Sequence, residues 1–120
     1  MSIKPTAFVR TCFDVETALR NRQPFTDRTG TIFAQIRTAH FDNLPRPIPA
    51  ELSLKLRNQH LTSYTVYSYR TPIAVFSVNK KDLHAPLQLL WFNVRRYENR
   101  IAAHQALIRD IACSDYFAAA

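Results

Sequence analysis

Three arginines within six residues, Arg95, Arg96 and Arg100, stand among Trp91, Phe92 and Tyr97. Guanidinium planes and aromatic rings so interleaved can grip phosphates and stack on bases, which makes this the stretch suited to nucleic acid. The competing reading is a solvated helix face. On a helix, Arg96 and Arg100 share one side by i,i+4, with Glu98 to screen them. A second cluster lies at residues 64–74, YTVYSYRTPIA, with three tyrosines in six residues followed by Arg70. Tyrosine gives a large contact area at low entropic cost and keeps a polar tip, as interfaces require. It is equally an ordinary strand residue. Tyr67, Tyr69 and Arg70 are the candidate partner-binding residues, and plain sheet packing is the alternative for each ring.

Other chemistries find less. His40, His60, His84 and His104 have no metal-ligand spacing, and there is no His-Glu-x-x-His or Cys-x-x-Cys pattern, so no metal and no cofactor is expected. His104 falls on an apolar stripe and reads as a satisfied buried histidine. Cys12 has no nucleophile signature around it, and Glu51, Glu98, Asp110 and Asp115 are too scattered to nominate an acid–base pair. No catalytic residue is named. An enzyme whose site is assembled from distant residues remains the third reading, with His40, His84 and Cys12 the first to test.

The whole-chain numbers bound these readings. With 120 residues and 47% apolar content, residues 1–120 form one domain with a real core. Gly30 is the only glycine, which excludes phosphate-cradling glycine loops and forces the chain to turn on Pro, Asn, Asp and Arg. Cys12 and Cys113 make no disulfide framework; free thiols in a reducing compartment are the default, and a bridge between the two ends is the alternative. No leader and no membrane-length apolar run is seen, so a cytoplasmic protein of a bacterial cell, with no membrane partner, is expected. The net charge is +7, with twelve arginines to four lysines. Along the sequence the excess is even: nine basic and five acidic groups in residues 1–61, seven and four in residues 62–120. The charge favours an acidic partner.

The elements that must position these residues follow from pattern. Residues 3–9 read as a short strand. Asp14 caps a helix over about 15–22, with Glu16 in its first turn and Arg20 and Arg22 in its last. Pro24 to Gly30 reads as a loop, and residues 31–37 as a strand. Residues 43–49, NLPRPIP, are extended, since prolines forbid regular hydrogen bonding. Pro49 starts a helix over 49–60, although Leu52, Leu54 and Leu56 also alternate as in a strand. Residues 64–69 and 73–78 form a β-hairpin connected by Arg70-Thr71-Pro72. Alternation puts Tyr64, Val66 and Ser68 on one face and Thr65, Tyr67 and Tyr69 on the other. Val94, Tyr97, Ile101, His104, Ile108 and Ile111 mark one face of an amphipathic helix. Residues 87–94 either extend that helix or form a strand feeding one that starts near Tyr97. The expected fold is α+β: a small antiparallel sheet centred on the 64–78 hairpin, packed against the C-terminal amphipathic helix.

The stretch YTVYSYRTPIAVF resembles a Tyr-x-Val-Tyr-Ser-Tyr-x-Thr-Pro-Ile-Ala motif of small uncharacterised proteins from bacteriophages and bacterial mobile elements. The preceding LPRPIPAELSLKL is similar to the Leu-Pro-rich lead into a helix sometimes found before it. The likeness covers about residues 45–76. It implies a phage-related origin and a small β-hairpin domain, and no catalytic residues. Small phage proteins without enzymatic motifs often bind host machinery. The leading expectation is therefore a non-enzymatic binding protein that occludes or redirects a host protein or nucleoprotein complex, such as a CRISPR effector in the case of an anti-defence inhibitor. Direct nucleic-acid binding through Arg95, Arg96 and Arg100 is the alternative. Homo-oligomerisation stays open at this point.

Overall fold

Six strands lie side by side in the order in which the chain makes them, β1-β2-β3-β4-β5-β6. The structure, a computed structural model, describes residues 5–37, 48–50, 52, 54, 62–79, 82 and 85–113. The strands are β1 (Ala7–Phe8), β2 (Phe25–Thr26), β3 (Ile32–Arg37), β4 (Thr62–Ser68), β5 (Thr71–Val78) and β6 (Gln88–Phe92). Helix α1 (Cys12–Arg20) crosses from β1 to its parallel neighbour β2, and helix α2 (Asn99–Ala112) follows β6. All other pairings are antiparallel. The result is the small α+β fold expected.

Alternation sorts the sheet into two unlike faces. Ala7, Phe25, Ala34, Tyr64, Val66, Ala74 and Phe76 point to one side, where Val15, Ala18 and Leu19 of α1 and Ile101, Ile108 and Ile111 of α2 complete one core. Tyr64 is buried at its centre; its ring meets Phe76 edge-on and its hydroxyl donates to the Gln23 carbonyl at 2.7 Å. Burial without a charge partner pushes the Tyr64 hydroxyl pKa well up, so it stays a neutral donor. The opposite face carries Ser63, Thr65, Tyr67, Val75 and Ser77, and here Ile48, Leu52, Leu90 and Trp91 pack around Val75.

Several boundaries differ from the expectation, each for a local reason. Of residues 5–9, the described part of the expected 3–9 strand, only Ala7 and Phe8 are strand. Thr11, not Asp14, is the N-cap of α1: its hydroxyl accepts from the Asp14 N–H while the Asp14 carboxylate accepts from the Thr11 N–H, a reciprocal capping box. Phe25 and Thr26 make a strand inside the expected 24–30 loop. Residues 88–92 are strand, and α2 begins only at Asn99. Val94, placed on the helical stripe by periodicity, is 85% exposed in the connection. Ala50, Leu52 and Leu54 are helical, which favours the helix reading there. The remainder of the 49–60 helix, most of NLPRPIP, and His40, His60 and His84 lie outside the described residues.

Asn93 fixes the β6–α2 connection. Pro72 and Ala74 are paired across the sheet, but Ile73 between them is left out as a bulge. Asn93 takes up the carbonyls this frees: its N–H donates to Ile73 at 2.8 Å and its side-chain amide to Pro72 at 2.9 Å. The same side chain reaches the Tyr97 hydroxyl, accepts from the Arg95 N–H, and is 1% exposed. Gln105 of α2 closes the network by donating to the Asn93 and Arg95 carbonyls. Asn93→Ala leaves these buried groups unpartnered and should lower unfolding free energy by about 2–4 kcal/mol. Urea denaturation measures this; a loss below about 0.5 kcal/mol would show the bulge to be held by other contacts.

Candidate functional site

The hairpin turn holds two of the three non-glycine residues with positive φ among the described residues, the third being Arg22 after α1. Thr62–Ser68 and Thr71–Val78 are joined by two residues only, Tyr69 and Arg70, rather than by the expected Arg70-Thr71-Pro72. Both are left-handed, with φ of 49° and 68°. A two-residue turn of this hand matches the twist of the strands but favours Asn-Gly. Tyrosine and arginine hold it at a steric cost of about 1–2 kcal/mol each. Gly30, at φ 73°, supplies the same geometry to the β2–β3 turn with no such cost.

Three contacts hold the turn in place. The Tyr69 N–H donates to the Thr31 carbonyl at 2.8 Å. Ser68 Oγ lies 2.6 Å from His104 Nδ1 on α2, and the His104 ring stacks on Tyr69 with centroids 6.0 Å apart. Thr31 is in turn fixed by Asp27, whose carboxylate accepts from the Thr31 N–H at 2.7 Å and from the Thr31 hydroxyl. Burial would raise the Asp27 pKa, but these bonds and those from neighbouring backbone N–H groups outweigh it and set the carboxyl below its ordinary value. Burial lowers the His104 pKa, and the Asp27 charge offsets this only in part. Serine, histidine and aspartate are thus neighbours, but Ser68 is fully buried and its hydroxyl is not presented to a substrate. The group acts as a clamp.

Of the three residues nominated in the hairpin, two are at its end. Tyr69 and Arg70 are exposed. Tyr67 is only 4% exposed: it lies on the other face of the sheet, its ring stacked on Phe33 with centroids 4.9 Å apart. Strict alternation grouped Tyr67 with Tyr69, but the left-handed turn ends the alternation at Ser68 and carries Tyr69 toward the helix side. Arg95, Arg96 and Arg100 are all exposed, yet Arg95 and Arg96 precede α2, so no helical i,i+4 face joins Arg96 to Arg100.

The topology brings the two nominated clusters together. Strands β1, β2, β4 and β6 end, and β3 and β5 begin, at the same end of the sheet. Asn93 ties the loop bearing Arg95 and Arg96 to Pro72, and Arg100 lies one turn before His104, the ring under Tyr69. Arg10 follows β1 and Arg28 sits in the β2–β3 turn, where an open cleft of about 810 Å³ is lined by Phe8, Val9, Arg10, Asp27, Arg28 and Thr29. Arg10, Arg28, Arg70, Arg95, Arg96 and Arg100 are therefore exposed at one end of the sheet. Their charge, evenly spread along the sequence, is gathered in space. Among the described residues, the acidic groups there are Asp14, held in the α1 capping box, Asp27, held in its turn, and Glu98.

Cys12 and Cys113 are free and exposed. Among the described residues no group of three His, Cys, Asp or Glu side chains is placed to hold a metal, and no helix is long and apolar enough to cross a membrane. No protein-family model, curated protein or solved structure matches the chain.

Two outcomes follow from the turn. Arg70→Gly should raise stability by roughly 0.5–1 kcal/mol, since glycine takes the left-handed conformation freely; a destabilised variant would mean the arginine makes up its strain through contacts. His104 holds a proton less tightly folded than unfolded. Its contribution to stability is complete above the ordinary value of about 6.5 and is lost as the pH falls through the depressed folded value. Unfolding midpoints between pH 7.5 and 5 should drop for the native chain and drop less for His104→Gln. Equal slopes would remove His104 from the clamp.

Proposed function

We propose that this chain is a non-enzymatic binding protein of phage or mobile-element origin, which docks its arginine-rich end on an acidic host protein or nucleoprotein complex and occludes or redirects it. The observation that carries this reading is the gathering of Arg10, Arg28, Arg70, Arg95, Arg96 and Arg100 around an exposed tyrosine on a strained, clamped turn. Arginine and tyrosine are the residue types that anchor interfaces. A turn rigidified in advance loses little freedom on binding. Surrounding positive charge speeds encounter with an acidic partner and sets its orientation. Backbone strain at an exposed loop tip is itself a reason to look for function there. The motif at residues 64–74 supports the phage-related origin. An anti-defence role, with a CRISPR effector as one such target, belongs to this proposal.

Direct binding of nucleic acid is a second reading of the same surface, favoured by the placement of Arg95, Arg96 and Arg100 at the same end of the sheet as Tyr69. Affinity would then fall steeply with salt, with a logarithmic slope of about 0.9 for each duplex phosphate neutralised.

Capture from bacterial lysate with and without nuclease separates the two. Under the leading reading a defined protein set survives nuclease, and Tyr69→Ala with Arg70→Ala weakens its purified complex at least roughly 30-fold, as for paired anchors worth about 2 kcal/mol. Material that vanishes with nuclease, together with a salt slope reduced by Arg96→Ala, would transfer the function to nucleic acid. Unchanged affinity in the Tyr69 and Arg70 variants would remove the anchor.

A further inference from the structure

Strand β1 leaves one edge of the sheet open. Among the described residues it has a neighbour on one side only, β2. The Ala7 and Val9 N–H groups donate to the Pro24 and Thr26 carbonyls at 2.8 and 3.0 Å, and the Pro5 carbonyl accepts from the Gln23 side chain. The backbone groups of Pro5, Ala7 and Val9 thus face inward. The pleat turns those of Thr6 and Phe8 the other way, off the edge of the sheet. Both residues are exposed, and the Phe8 ring packs so little that it is 77% exposed. So short an edge offers a partner few hydrogen bonds, and the side chains beside it must decide what docks there.

Those side chains select a chemistry. Ala7 and Val9 pack into the core under the helices, so alternation puts Phe8 and Arg10 on the opposite face. Arg28, from the β2–β3 turn, lines the same open cleft as Phe8 and Arg10. Both arginines are exposed, and neither guanidinium has a hydrogen-bond or ion-pair partner among the described residues. Asp27 is the one carboxylate in the cleft lining, and its oxygens already accept from Thr31 and from the Ile32 N–H. Two guanidiniums against one carboxylate leave the cleft positive, with an aromatic ring beside it. A nucleotide would answer the ring and the guanidiniums. The N–H and C=O that Phe8 turns off the edge match another extended backbone.

We propose that the acidic partner presents an extended segment which adds to β1 as a seventh strand, with an apolar residue beside Phe8 and a carboxylate facing Arg10 and Arg28. This rests on the reading of the arginine-rich end as a docking surface for an acidic protein, and it names the segment that surface takes. The added strand runs antiparallel to β1, so that one of its residues exchanges both backbone bonds with Phe8. It then passes Arg10 before Phe8, and its carboxylate comes two positions ahead of its apolar residue. Backbone bonds give this mode its geometry, and the alternate side chains give it specificity.

The probe is a fluorescein-labelled, amidated peptide, Ser-Glu-Thr-Glu-Thr-Val-Thr-Val, titrated into the full chain at low salt, with anisotropy and amide hydrogen exchange as readouts. Expected is saturable binding, with exchange of the Phe8 amide slowed at least roughly tenfold. N-methylation of both valines removes backbone donors without touching the protein, and should weaken binding at least roughly tenfold. Arg28→Ala should weaken it by a similar factor. Phe8→Pro deletes the outward N–H at an edge position where proline is tolerated, and should abolish binding. Equal affinity for the plain and N-methylated peptides, an unprotected Phe8 amide, or no saturable binding would overturn the proposal. So would tighter binding of single-stranded oligothymidylate that leaves the Phe8 amide unprotected, which would assign the cleft to nucleic acid. The docking surface and the added strand fail separately. If the peptide fails while Tyr69→Ala and Arg70→Ala still weaken the captured complex, the strand is lost and the surface stands. If Phe8 is protected while those two variants change nothing, the anchor is lost and the strand stands.

Discussion

Almost everything at the arginine-rich end of this molecule depends on two non-glycine residues being kept left-handed. Tyr69 and Arg70 would relax to other backbone conformations in an isolated hairpin. They do not relax here because Thr31 holds the Tyr69 N–H, Ser68 meets His104, and the His104 ring lies under Tyr69. One of these contacts comes from Thr31, at the start of β3, and two come from His104 of α2. The turn therefore records the docking of β3 and α2 on the hairpin. If α2 moves, the clamp opens and the tyrosine loses its platform. The stability of the helix packing and the geometry of the proposed docking surface are one quantity seen from two sides.

The two faces of the sheet divide the work. The side facing α1 and α2 is an apolar core of ordinary composition, closed by Val15, Leu19, Ile101, Ile108 and Ile111. The other side is buried over β4 and β5 but remains rich in hydroxyls, with Ser63, Thr65 and Ser77 where valine or isoleucine would pack as well. A chain selected only for stability would replace them, because an unpaired buried hydroxyl is worse than an apolar group of the same shape.

How much of this was legible follows from where the information lies. The hairpin strands and β3 could be read because β-branched and aromatic residues alternate there without interruption. The start of α1 was misjudged by one turn because Thr11 and Asp14 are both good caps, and only their reciprocal bonding decides between them. The reach of α2 was overestimated because Val94 and Tyr97 continue the helical period, while the direction of the chain at that point is set by Asn93 reaching across to β5. That contact is tertiary and leaves no periodic trace. His104 was read as an inward histidine, which agrees with its half-buried place on α2, but its partners Ser68 and Asp27 come from distant parts of the sequence. The arginine-rich end was hidden for the same reason: six residues spread from Arg10 to Arg100 meet only because of the directions in which the strands run.

Strand order has a consequence of a different kind. Each strand is bonded only to the strands before and after it in the chain, so the sheet can grow by adding neighbours and never has to wait for its two ends to meet. The hairpin of β4 and β5, closed by two residues, has the shortest loop and the smallest entropic barrier. The join from β3 to β4 must close over residues 38–61 and comes at greater entropic expense. Assembly thus runs outward from the hairpin, and the strained turn is closed before the clamp that secures it has formed. In the nascent hairpin Tyr69 and Arg70 are free to relax, and their left-handed geometry is secured only when α2, the last described element of the chain, arrives.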